Sequence, residues 1–151
     1  MSKLGLARIL AGLLFSLAAS ILIIFFVTLG YTLSEFPELG TSSMFLVVFA
    51  VLLNPLTAID MGIWSVIAAI AVGGFIGGLI SKSPTSGLMV GLLSFVVIFI
   101  LFLGLTVGFD IGAWVLWVTT HGSNVAFDLL LCVAIFAGTG SIGGKLTAEK
   151  E

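Results

Sequence analysis

The chain has 151 residues, 60% of them hydrophobic and 8% charged, with a formal net charge of −2, one histidine and one cysteine. A soluble domain carries about 25% charged residues, so this chain cannot clothe a water-facing surface, and its mean hydropathy of +1.38 makes lipid the expected solvent. The charge balance excludes a nucleic-acid footprint, and the lone Cys132 excludes an intrachain disulfide or a multi-cysteine metal site.

In chain order, the first predicted element is a membrane span over about Leu6–Leu33. Its apolar run, Ile9 to Leu29, exceeds the roughly 7–15 residues of a cleaved signal core, so it reads as a retained span. Lys3 and Arg8 precede or open it, and Gly12, Ser16 and Ser20 recur every four residues along one face. A polar insertion, "SEFPELGTSS", follows at 34–43. Met44–Leu53 is apolar but too short to cross a bilayer, which takes about 20 residues. Asn54-Pro55 stops it, because proline lacks an N–H and disfavours helix at the residue before it.

The second span is predicted over Asp60–Ile80, with Ala69, Gly73 and Gly77 on one face and Gly74 and Gly78 beside them. A short polar turn holding Lys82 leads to the third span, Ser86–Phe109, which offers Gly87 and Gly91. Ile111–Val118 is again too short to span and is expected to stop at "TTHGSN"; its Trp114 and Trp117 suit the interface, where an indole keeps one polar edge wet. The fourth span is predicted over Ala126–Leu146, with Ser123 or Asn124 as its cap and with Ala134, Gly138, Gly140, Gly143 and Gly144 as small residues for packing.

All the basic residues, Lys3, Arg8, Lys82, Lys145 and Lys150, then fall on one side of this layout. Glu35, Glu38, Asp60, Asp110 and His121 fall on the other, with Asp128 just inside the fourth span. The positive-inside rule places both termini in the cytoplasm, in a multi-pass protein of the cell membrane.

Internal matches suggest a repeat. Gly12-Leu13-Leu14 matches Gly91-Leu92-Leu93, Thr28-Leu29-Gly30-Tyr31 matches Thr106-Val107-Gly108-Phe109, and Gly74-Phe75-Ile76-Gly77-Gly78 matches Gly140-Ser141-Ile142-Gly143-Gly144. The expected fold is therefore one all-α integral membrane domain, 1–151. It has four transmembrane helices as two tandem parallel helix-hairpin repeats, about 5–80 and 86–146, plus two short surface or re-entrant helices on the outer side. Lipid tails are as apolar as leucine, so helices associate by close contact, which small residues permit. Spans two and four are accordingly expected to pack by their glycine faces near the cytoplasmic side.

Chemistry is sparse. No Lys, Arg, His or Glu falls mid-span. Asp60 and Asp128 are expected as helix-start anchors, favoured by the helix dipole, with cation or proton contact as the other reading. His121 with Asp110, Asp128, Glu35 and Glu38 is the one candidate metal group, and one imidazole with scattered acids is a poor ligand set. "GTGSIGG" has glycine spacing like a nucleotide loop, but it ends a span with no strand before it. No catalytic constellation and no cofactor are implied.

The stretch "VGGFIGGLISKSPTSGLMVGLLSFVVIFILFLG", with the terminal "GTGSIGGKLTAEKE", resembles small archaeal multi-pass membrane proteins of unknown function, over residues 72–148. In these a Gly-rich helix, a short polar turn and a second glycine-bearing helix recur. The resemblance implies four membrane helices and no activity. The expected function is that of a non-enzymatic accessory subunit, with the lipid bilayer and other membrane protein subunits as partners. A small oligomeric transporter or channel is the alternative.

Overall fold

The computed structural model describes residues 2–32, 34 and 41–149, and every regular element among them is helical. Helix α1, Lys3–Ile23, is capped by Ser2, whose hydroxyl accepts from the Gly5 N–H at 3.1 Å, and it runs on into a π-helical turn, Ile24–Thr28. Helices α2, Thr41–Leu52, and α3, Pro55–Asp60, are split at Asn54-Pro55 as the sequence predicts. Pro55 opens α3, where its missing N–H would have had no intrahelical partner anyway. Helix α4, Ser65–Ser81, is followed by α5, Pro84–Val107, whose cap is the Ser83 hydroxyl accepting from Ser86 N–H. Helix α6, Ile111–Leu146, has 36 residues and begins at Asp110, whose carboxylate accepts from Gly112 N–H at 2.9 Å.

Three of these stretches, Lys3–Thr28, Pro84–Val107 and Ile111–Leu146, are long and apolar enough to cross a membrane; α4, with 17 residues, is a shorter apolar helix. Three expected boundaries differ. The first span, expected to run to Leu33, ends at Thr28. The second span starts at Ser65 rather than Asp60, because the chain turns through Gly62 at φ 73° first. The expected short segment 111–118 and the fourth span are one continuous helix, so "TTHGSN" does not end it and neither Ser123 nor Asn124 is a cap.

That stretch bends α6 instead. Gly87 faces Gly140 and Gly91 faces Phe136 across the α5–α6 contact. On straight rods this register would set Phe99 close to Asp128. The Phe99 and Phe102 rings instead lie 6.2 and 5.7 Å from the ring of Trp117, about three turns and about two turns further along than that register places them. Helix α6 is therefore bowed between these contacts. The causes are at hand: the Thr119 and Thr120 hydroxyls donate to the carbonyls of Val115 and Leu116, and a Gly122-Ser123 pair follows. Back-bonded threonines and Gly/Ser pairs both bend helices.

Helices α1 and α4 run antiparallel, joined at one end by the Thr28 and Ser65 hydroxyls, 2.8 Å apart, and at the other by Gly12 against Gly77. Helix α4 touches α1, α5 and α6 and is the centre of the bundle. The start of α1, the α4–α5 turn and the end of α6 share one end of the molecule, tied by Arg8 and Lys82 on Glu149. The opposite end, holding α2, α3 and the π-helical turn, is filled by Ile24, Phe25, Val48, Phe49, Leu52 and Ile70 among others.

Candidate functional site

The one buried carboxylate among the described residues sits where the chain is broken. Splitting a helix at Asn54-Pro55 orphans the last carbonyls of α2 and the first N–H groups of α3, and this junction is half-buried, with Leu52, Leu53 and Pro55 inside the apolar body and Leu56 and Thr57 exposed. Helix α6 supplies partners for both. Asp128 Oδ1 accepts from the N–H of Leu56 at 2.8 Å and of Thr57 at 3.2 Å, and Oδ2 accepts from the Thr57 hydroxyl at 3.4 Å. One turn further along α6, the Cys132 thiol donates to the Leu52 carbonyl at 3.4 Å. Asn54 closes the junction locally by donating its side-chain amide to the Ala50 carbonyl. Asp128 is 7% exposed and Cys132 fully buried. A carboxylate is suited to this place because it meets the positive end of the α3 dipole and accepts charge-assisted bonds from N–H groups.

A cavity of about 380 Å³ lies on the other side of α3, lined by Thr28, Val51, Asn54, Thr57, Ala58 and Val66 among others. Its walls are mostly apolar, and each of its polar side chains is already spoken for: Thr28 by Ser65, Asn54 by Ala50 and Thr57 by Asp128.

The aspartate reading therefore needs correction. Asp128 does hold a helix N-terminus, but that of α3, 71 and 72 residues away, and it lies deep within α6 rather than in its first turn. Asp60 ends α3 instead of opening the second span, and is exposed. The anchor of α6 is Asp110. His121 is exposed and stacked on Trp117, with ring centroids 5.2 Å apart. Among the described residues no three His, Cys, Asp or Glu side chains come together to hold a metal; Glu35 and Glu38, part of that candidate group, lie outside the described residues.

Most of the small residues singled out in sequence do meet. A Cβ on Gly12 would stand 2.7 Å from the Gly77 carbonyl oxygen, and one on Gly77 2.9 Å from that of Gly12. Gly73 faces Ser16 and Ser20, whose hydroxyl donates to the Ala69 carbonyl at 3.1 Å. Gly74 faces Phe136, Gly78 and Gly87 both face Gly140, Gly91 faces Phe136 and Ala137, Gly143 faces Phe75, and Gly144 faces Ser83. Most of the obstructing atoms are backbone, so no rotamer change would make room. Ala134 and Gly138 stand apart: both are exposed, and a Cβ on Gly138 would meet nothing within 4 Å. Residues two apart on a helix lie about 200° round from each other, so Gly138 cannot share a face with Gly140.

Sequence reasoning missed Cys132 and Thr57 as partners at the junction. The signal was the spacing of Asp128 and Cys132, four residues apart and so on one face of α6. Nothing local named the broken helix they would meet. No family description, curated protein or solved structure matches this chain.

Proposed function

We propose that the chain is a non-enzymatic subunit of a larger membrane assembly, crossing the bilayer four times with both termini in the cytoplasm. Helix α4 supports the fourth crossing: its 17 residues rise about 25 Å, and it lies along α1 from Thr28 to Gly12, within a stretch that is itself long enough to cross. The orientation is supported by Lys3, Arg8, Lys82 and Lys145, which all belong to the end where α4 turns into α5. The repeat rests on the sequence matches. Its second hairpin is shifted in register, since Gly12 meets Gly77 whereas its counterpart Gly91 meets Phe136 and Ala137, not Gly143.

The observation that carries the subunit reading is the bare face of α6. Its most apolar stretch is 22% buried, against 33% for α1 and for α5. On that face Ala134 and Gly138 leave backbone open to close approach by a neighbouring helix. The test is to extract the protein from its native membrane in mild detergent and weigh the particle. A larger particle is expected, falling to a single chain in Gly138→Leu and unchanged in His121→Ala. A single chain in the wild type overturns the reading.

A small oligomeric transporter is the second reading, favoured by a buried aspartate beside a broken helix, the arrangement through which many transporters handle ions. Flux into liposomes, lost in Asp128→Asn, would support it over the first.

A further inference from the structure

We infer that α3 is a latched wall: the Asp128 carboxylate holds it against α6, and protonating that carboxylate frees it to swing and reshapes the open-mouthed cleft of about 380 Å³ that it helps to line. The inference goes beyond either functional reading and requires neither a partner nor transport.

Helix α3 has only six residues and a hinge at each end, Asn54-Pro55 before it and Gly62 at φ 73° after it. Its packing is light, with Pro55 and Ala58 as its buried side chains. Every hydrogen bond that α3 makes beyond its own flanks, among the described residues, ends on Asp128. One side chain therefore carries the polar attachment of the whole segment. The cavity is on the far side, walled by Thr57 and Ala58, so a movement of α3 toward or away from α6 changes the cavity directly.

The latch is also electrically simple. Helices α2, α4 and α5 contain no Asp, Glu, Lys, Arg or His. Helix α3 contributes Asp60 at its exposed end, and α6 contributes Cys132 one turn away, with exposed His121 two turns the other way. Among the described residues no cation stands in as a second partner for Asp128, so its charge is answered by the α3 N–H groups and the Thr57 hydroxyl. Protonation removes the charge assistance from those bonds, whereas the backbone contacts at the other end of the bundle contain nothing that titrates.

Hydrogen exchange on the full chain in phosphatidylcholine nanodiscs tests this. Asp128→Asn should raise exchange of the amides at 56–63 by about tenfold or more and leave 74–78 and 140–144 unchanged. Lowering the pH on the wild type, after correction for the intrinsic rate, should do the same at 56–63, and the pH response should vanish in Asp128→Asn. Val66→Cys, 1% exposed on the cavity wall, should react faster with a membrane-permeant maleimide when Asp128→Asn is added, judged against the Cys132 background. Unchanged exchange at 56–63 overturns the latch. So does a uniform rise that includes 74–78 and 140–144, which would make Asp128 a support of the whole fold. Failure of the protein to remain in the nanodisc would instead overturn the membrane reading.

Discussion

Where α4 turns into α5, the helices meet backbone to backbone: Gly78 and Gly87 lie on Gly140, Gly77 on Gly12, Gly144 on Ser83. At the opposite end they are held apart by Ile24, Phe25, Val48, Phe49 and Leu52, which fill the space between α1, α2 and α4. In lipid neither arrangement gains from hiding apolar surface, since the tails are equally apolar. Both live on dispersion, spent differently. The glycine end has many short contacts between parts that cannot rotate. The opposite end has contacts between side chains that can change rotamer, and it leaves room for a broken helix and a cavity. The rigid end fixes the bundle, and the adjustable end is where the chain places the one buried carboxylate among the described residues.

The comparison breaks most easily at Gly78. Gly78→Leu puts a side chain into the Gly140 carbonyl, with only backbone to push against, and should cost more than about 3 kcal/mol, the upper range for overpacking. Gly138→Ala, two residues from Gly140 on the bare face, should be neutral or slightly stabilising in the isolated chain, because alanine is the better helix former. Unfolding from mild detergent into dodecyl sulfate measures both. Equal effects would mean that glycine content rather than contact is what matters at this end.

Next in size is Leu52→Ala. Leu52 is fully buried at the opposite end. The same truncation in a water-soluble core costs about 2–5 kcal/mol; in a chain that spans the bilayer, as proposed, the transfer part is small, because the unfolded reference is also lipid. The expected cost is about 2 kcal/mol, the low end of that range, read by the same titration. Its neighbours can close around the gap, as those of Gly78 could not retreat from an added side chain.

How much of this was written in the sequence varies with the reach of the interaction. The helical class, the break at Asn54-Pro55 and the third span depend on residues within one turn of each other, and the last two match the α2–α3 junction and α5 closely. The glycines at 73–78 and 140–144 could be marked as contact surfaces, since little else explains so many in helix interiors. Which face of α6 they use could not be read, so Ala134 and Gly138 were grouped with residues of the opposite phase. The continuity of α6 was hidden because threonine, glycine and serine weaken a helix in water. In an apolar surrounding, helix is the cheapest way to satisfy their backbone, and the threonine hydroxyls here bond into it. The partner of Asp128 is a contact across more than 70 residues, and no local pattern encodes it.

Between the two ends lies a layer of hydroxyls. The Ser94 and Ser16 oxygens are 2.9 Å apart, and Ser94 also reaches the Val90 carbonyl at 2.8 Å. Each hydroxyl has one proton, so Ser94 shares its own between two acceptors within reach, the Ser16 oxygen and the Val90 carbonyl. Ser94→Ala leaves the buried Ser16 to turn to its own helix. The expected loss is about 0.6 kcal/mol, the average for such bonds between membrane helices. A loss as large as that of Leu52→Ala would mean that the α1–α5 contact depends on polar pairing rather than on fit.

The smallest effect concerns the ion pairs that decorate the glycine end. Glu149 accepts from Lys82 at 3.3 Å and from Arg8 at 2.9 Å. The Lys82 ammonium first, and the Arg8 guanidinium with it, hold its carboxyl below the ordinary glutamate range. A carboxyl whose value is lowered by folding stabilises fully above its unfolded value and loses that contribution as pH falls through the folded one. The attachment of residues 147–149 should therefore be complete at neutral pH and fade only below the ordinary carboxylate range. It should weaken with added salt, because the partners are exposed. Glu149→Gln should abolish the pH response. The readout is exchange at Thr147–Glu149 against exchange at Gly140–Gly144. If the tail loosens while 140–144 stays protected, backbone contact alone holds the rigid end. If both loosen together, the ion pairs belong to the clamp, and the contrast between the two ends is one of charge as much as of packing.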